Sequence, residues 1–106
     1  MSKGDIVLIP FPFTDLSGSK LRPALVVAET SLDLTLAFIT TQLQWQETTD
    51  LLIKPNSSNG IKKTSIIRLS KLATIDKALV IGKLGILNAA EILELNIKLK
   101  VLFQIP

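Results

Sequence analysis

Apolar and polar positions follow short, strand-like periods through most of this chain and switch to a helical period only near its end. Residues 5–11, Asp5-Ile6-Val7-Leu8-Ile9-Pro10-Phe11, read as a strand that is apolar on both faces, with Ile6 and Leu8 on one and Val7 and Ile9 on the other. Such a strand predicts one face on the core and the other against a helix or a second subunit. Thr14 to Lys20 is rich in Ser and Gly and predicts a loop. Residues 24–29 and 33–41 read as two further strands, joined tightly through Glu29-Thr30-Ser31-Leu32. Pro23 fits the start of the first of these, where its missing N–H does little harm, and it biases Arg22 toward an extended backbone.

The second half continues in the same way. Residues 49–54 predict a strand, and Asn56-Ser57-Ser58-Asn59-Gly60 a turn in which Asn59-Gly60 signals a tight hairpin. Thr64 to Leu69 and Lys71 to Ile75 form one long or bent strand. A short helical turn over 77–81 and a brief strand near Gly82 to Ile86 come next. Asn88 then caps a terminal helix, with Glu91 completing a capping box. Ile92, Leu95, Leu99, Leu102 and Phe103 recur at helical spacing, and Glu94 and Lys98 stand at i, i+4 on the polar side. Many short strands and one amphipathic helix predict an α+β architecture, a small and strongly curved antiparallel sheet with the helix packed on it.

Composition changes this picture in two places. At 106 residues the chain, 1–106, is a single domain, yet 47% of it is hydrophobic and the mean hydropathy is +0.44. No stretch of the length a membrane helix needs is free of charge or proline, so an oligomer interface is the expected outlet for the apolar excess. The beginning shows no secretory signal and cysteine is absent, which predicts a cytoplasmic protein with no thiolate chemistry and no disulfides. The net charge of +3 is unevenly spread. Residues 1–60 are net acidic, whereas Lys62, Lys63, Arg68, Lys71, Lys77 and Lys83 crowd the second half. This basic cluster reads as a solvated face or as a footprint for a polyanion.

The missing residue types narrow the chemistry. There is no His, no Cys and no Tyr, and the carboxylates are scattered rather than set at metal-ligand spacings. A metal site, a cofactor site and a Ser or Cys nucleophile with an imidazole base are all left out of the reading. RNA cleavage fits what remains, because the substrate's own 2′-hydroxyl attacks the adjacent phosphorus. The protein then has to align the backbone and stabilise charge on the phosphorane oxygens. Arginine suits that task through its planar, permanently charged fork, and a threonine hydroxyl can hold a non-bridging oxygen.

Gly4-Asp5-Ile6-Val7-Leu8-Ile9-Pro10-Phe11, followed by Ser17-Gly18-Ser19-Lys20-Leu21-Arg22-Pro23-Ala24-Leu25-Val26-Val27, resembles the opening of the MazF/PemK family of toxin ribonucleases. Ile39-Thr40-Thr41-Gln42 looks like that family's second active-site motif, and Thr74-Ile75-Asp76 like its later Ser/Thr-Ile-Asp turn. The loop Phe11-Pro12-Phe13-Thr14-Asp15-Leu16 departs from the acidic segment of many members and is similar to a PemK-like subgroup. The resemblance implies an SH3-like barrel with a C-terminal helix. It also implies a homodimer that cuts single-stranded RNA without metal or cofactor, silenced by a cognate acidic antitoxin.

By that resemblance Arg22 and Thr40 are the catalytic positions, and Ser19, Lys20, Thr41, Gln42, Gln44 and Lys71 are substrate contacts. The residues alone leave Arg22 open as an interface arginine, Thr40 as a strand residue, and Gln42 and Gln44 as exposed polar positions. Asp15 and Glu47 are the carboxylates available as a general base. A gyrase poison like CcdB shares the fold, but this chain ends Val101-Leu102-Phe103-Gln104-Ile105-Pro106 without the Trp-Gly-Ile ending of that activity. A non-catalytic RNA-binding module is the other alternative.

Overall fold

The computed structural model describes residues 1–11 and 20–106. Six strands form one antiparallel sheet: β1 (Asp5–Phe11), β2 (Lys20–Glu29), β3 (Asp33–Thr40), β4 (Leu51–Ile53), β5 (Ser65–Asp76) and β6 (Gly82–Ile86). Their spatial order is β4-β5-β3-β2-β1-β6. Among the described residues one α-helix, α1 (Ala89–Phe103), follows, and 3₁₀ turns occupy Leu43–Trp45 and Lys77–Leu79. The sheet is curled into a half-barrel, and both of its faces carry a core. Ile6, Leu25, Val27, Ile67 and Leu69 pack with Leu95 under α1. Val7, Ile9, Ala24, Val26, Leu34, Leu36 and Ile75 pack together on the opposite face. No helix among the described residues is long and apolar enough to cross a membrane.

This second core decides between the alternatives for β1, whose Ile6 face lies with α1 and whose Val7 and Ile9 face lies on a core of its own, not on a second subunit. Both faces of β1 are covered within the chain, because the curl folds its second face against β2, β3 and the Leu79–Val80 turn. Ile6, Val7 and Ile9 are all fully buried. The apolar excess emerges on α1 instead. Ile92, Leu95, Leu99 and Leu102 face the core as their spacing predicts, but Phe103 is 55% exposed and does not join them. Leu93, Ile97 and Val101, spaced i, i+4, i+8, form a second apolar stripe more than 60% exposed. Lys98 donates to the Thr48 carbonyl (2.7 Å), tying the helix to the β3–β4 connection rather than to Glu94.

Turn chemistry decides the ends of the elements. Thr30 Oγ1 accepts from the Asp33 N–H and closes the β2–β3 turn. Asn88 Oδ1 accepts from the Glu91 N–H and Glu91 Oε1 from the Asn88 N–H, both at 2.8 Å, which completes the predicted capping box. The β4–β5 connection differs from the predicted tight hairpin. It runs over 54–64, and only Gly60 takes a positive φ (70°), whereas a type I′ turn needs two such residues. Asn59 is buried instead: its Nδ2 donates to the Lys54 carbonyl and its Oδ1 accepts from the Ile61 N–H. Pro23 also lies inside β2, opposite Leu8, rather than at its start. Pairing with β3 begins only at Ala24, so this part of β2 is laddered on one side.

The 54–64 loop closes the half-barrel by reaching the far edge of the sheet, where the Ile86 N–H of β6 donates to the Ser58 carbonyl at 2.8 Å. A Cβ on Gly60 would lie 2.3 Å from the Leu84 carbonyl oxygen, so glycine is required both for its φ and for this approach. Gly60→Ala is expected to lose more than about 1 kcal/mol in chemical denaturation, and an unchanged midpoint would mean that the loop does not close on β6. Leu95→Ala, which empties the core under the helix, is expected to lose about 2–5 kcal/mol in the same assay.

Candidate active site

Register brings the two expected catalytic positions together. Ala24 of β2 pairs with Phe38 of β3, and Phe38 pairs on its other side with Arg68 of β5. Arg22 on β2 and Thr40 on β3 each lie two residues beyond the Ala24–Phe38 rung, the last of the β2–β3 ladder, at the alternation of those two residues. Both line an open cleft of about 650 Å³. Phe11 and Phe38 meet edge to face in its wall, with centroids 5.7 Å apart. Thr41, Gln42 and Lys71 also line it, with Arg68 and Ser65 from β5.

A break in the β3–β5 ladder delivers Lys71. Ala37 pairs with Leu72 but Phe38 pairs with Arg68, so Leu69, Ser70 and Lys71 bulge from β5 between those rungs. This bulge is the bend expected between Leu69 and Lys71, and it turns Lys71 toward the cleft.

The cations in the cleft are held differently. Arg22 is exposed and makes no ion pair among the described residues. Arg68 is engaged twice: its Nη2 donates to Glu47 Oε1 at 2.6 Å, and its Nε lies 3.2 Å from Asp50 Oδ2. Asp50 is buried, and its Oδ2 also accepts from the Glu47 N–H at 2.8 Å. The ion pair therefore pins the end of the β3–β4 connection beneath the cleft. Thr40 Oγ1 accepts from the Gln42 N–H (3.1 Å), which orients the hydroxyl and leaves its own O–H to donate into the cleft.

The remaining expected contacts divide. Thr41, Gln42 and Lys71 are in the cleft wall. Gln44 is not; its Nε2 donates to Gln42 Oε1 (2.8 Å) from just outside. Lys20 is exposed at the start of β2, opposite Phe11 and outside the lining. Ser19 and Asp15 lie outside the described residues. The basic cluster does not form one groove. Lys77 pairs with Glu29 (3.0 Å) and Lys83 with Asp5 (3.4 Å), leaving Arg68 and Lys71 as its members in the cleft. Phe11, Phe38 and Asp50 were not legible as site residues, since an apolar strand residue and a lone aspartate carry no such signal.

Residues 2–103 match the family of PemK-like, MazF-like toxins of type II toxin–antitoxin systems, and the chain belongs to that family. Solved structures bear out the fold. A mycobacterial endoribonuclease in complex with its cognate antitoxin superposes with a TM-score of 0.78 at 18% identity, covering 100% of this chain and 97% of that one. The Mycobacterium tuberculosis toxin MazF-mt6 gives 0.77 at 20% identity, covering 96% and 98%. A further endoribonuclease from mycobacteria gives 0.73 at 18%, covering 100% and 93%. Comparison with curated protein sequences gives no match.

The two acidic partners of Arg68 differ in burial, which separates their effects. Asp50→Ala strips a buried charge pair and is expected to cost roughly 3 kcal/mol of stability. Glu47→Ala, at an exposed carboxylate, is expected to cost less than about 1 kcal/mol. Equal losses in urea unfolding would contradict the burial difference.

Proposed function

We propose that this toxin is a sequence-specific endoribonuclease that cleaves single-stranded RNA by attack of the substrate's 2′-hydroxyl, without a metal ion. The observation that carries this reading is the juxtaposition of Arg22, which makes no ion pair among the described residues, with a Thr40 hydroxyl whose O–H is left to donate, on adjacent strands of one cleft. The 2′-oxygen bonds to phosphorus as the P–O5′ bond breaks. The 2′-proton leaves and the 5′-oxygen gains one, giving a 2′,3′-cyclic phosphate and a 5′-hydroxyl. Arg22 supplies a planar fork for two phosphorane oxygens, and Thr40 a neutral donor to one. Lys71 holds a neighbouring phosphate. Glu47, one of the two carboxylates considered as a base, is committed to Arg68.

The partners follow from the same surfaces. A second copy covers the exposed stripe of Leu93, Ile97 and Val101 on α1, giving a homodimer whose clefts together bind an extended strand. An acidic antitoxin segment competes with RNA for Arg22 and Lys71. The setting for this activity is the cytoplasm.

Incubation with a long single-stranded RNA in excess EDTA is expected to give discrete cuts with cyclic-phosphate ends. RNA that is bound but left intact would reduce the protein to a binding module. Arg22→Ala is expected to lower the cleavage rate by two to three orders of magnitude, roughly the effect of removing a preorganised donor, and Arg22→Lys to recover little of it. Thr40→Ala is expected to lose about 1.5–3 kcal/mol of transition-state stabilisation. Either variant cutting at the wild-type rate while folded would remove that residue from the site. Light scattering at micromolar concentration is expected to report twice 11.6 kDa, and a clean monomer would overturn the paired-cleft arrangement.

A further inference from the structure

The chain has a single tryptophan, Trp45, and it stands in water. Its side chain is 61% exposed, in a 3₁₀ turn (Leu43–Trp45) that buries none of its residues. Leaving a large aromatic in solvent forfeits its burial free energy, so its position calls for a partner. The turn is nonetheless firmly held. The Leu43 N–H donates to the Thr41 carbonyl (3.0 Å) and the Trp45 N–H to the Gln42 carbonyl (3.3 Å). Beyond it, Glu47 and Asp50 are fastened by Arg68, and Thr48 by Lys98. Trp45 therefore sits on a short arm anchored at both ends, and its near end is the cleft wall formed by Thr41 and Gln42. At a 3₁₀ rise of about 2 Å per residue, it lies about 6 Å along the turn axis from Gln42.

Two amides accompany it. Gln44 Nε2 donates to Gln42 Oε1, so the two side chains are joined while the Gln42 Nε2 donors and the Gln44 Oε1 acceptor make no other hydrogen bond among the described residues. An aromatic face beside amides able to bond a base edge is the combination by which single-stranded RNA is read. On the endoribonuclease reading above, we propose that Trp45 stacks on an unpaired base next to the cleaved phosphodiester, while Gln42 and Gln44 bond its edge. Arg22 and Thr40 then act on the phosphate, and Trp45 and the two glutamines place the nucleotide beside it. Because the arm is already ordered, stacking needs little rearrangement, and two χ angles are all the side chain must fix.

With one tryptophan and no tyrosine, the intrinsic fluorescence of the chain reports Trp45 alone. The probe is a fully 2′-O-methylated copy of a single-stranded RNA that the protein cuts, which removes the attacking hydroxyl. Its binding is followed in parallel by tryptophan emission and by anisotropy of a label on the RNA. The expected result is quenching that saturates along the anisotropy isotherm. Trp45→Ala is expected to bind about ten- to a hundredfold more weakly, with an unchanged dependence on salt because no phosphate contact is lost. Trp45→Phe is expected to retain most of the affinity, and thermal unfolding is expected to be alike for all three proteins. Binding without quenching, or Trp45→Ala binding as tightly as wild type, would overturn the stacking role while leaving the endoribonuclease reading intact. Emission that changes with protein concentration before RNA is added would place Trp45 between copies of the chain and also overturn it. A wild-type chain that neither cuts nor binds RNA would remove the reading on which the proposal rests, and the proposal with it.

Discussion

The cleft depends on β3 being laddered on both sides. Its pairing with β2 runs through Ala24 and Phe38, and its pairing with β5 through Phe38 and Arg68. That shared rung aligns three strands, with Arg68 on the rung itself and Arg22 and Thr40 each two residues beyond it on β2 and β3. Because side chains alternate strictly along a strand, a slip of one residue at either ladder would turn Thr40 or Arg22 to the opposite face. The register is secured by burial rather than by the polar residues themselves. Leu34 and Leu36 pack into one core and Ala37 into the other, so a slipped β3 would expose both.

Curvature supplies the second constraint. A flat six-stranded sheet would leave one face of β1 and β2 in water, whereas the curl gives each face its own core. Closing such a sheet in a chain this short falls to the 54–64 loop, which bridges from β5 to β6 through Ser58 and is stitched internally by Asn56 and Asn59. Glu91 joins the same construction from α1: its Oε1 completes the helix cap and its Oε2 accepts from Asn56 and Asn59. The helix start and the barrel closure are thus one hydrogen-bonded unit, at the opposite end of the domain's logic from the open cleft.

The charged residues divide along the same lines. Arg68, Lys77 and Lys83 are neutralised by acids from other elements, while Arg22 and Lys71 project into the cleft without such partners among the described residues. A cation already satisfied by a carboxylate contributes scaffold, and one left free contributes affinity for an anion. Net charge does not distinguish the two kinds. The exposed Leu93, Ile97 and Val101 stripe is the apolar counterpart of the same division, a surface left uncovered by the described residues.

Local chemistry was legible in the sequence. The strands, the Asn88–Glu91 capping box, the bend near Lys71 and the core positions of α1 follow from side-chain period and from short-range hydrogen bonding, which act over three or four residues. Asn59-Gly60 misled because the signal for a two-residue turn is also local, and the competing demand came from β6, more than twenty residues away along the chain. Phe103 misled because helical spacing defines a face but not the width of the surface that covers it. The resemblance of short motifs singled out Arg22 and Thr40. That they line one cleft, and that Arg68 is spent on Asp50 and Glu47, were decided only by tertiary structure. Pairing register and sheet curl are set by the packing of distant residues, and no window of sequence contains both partners.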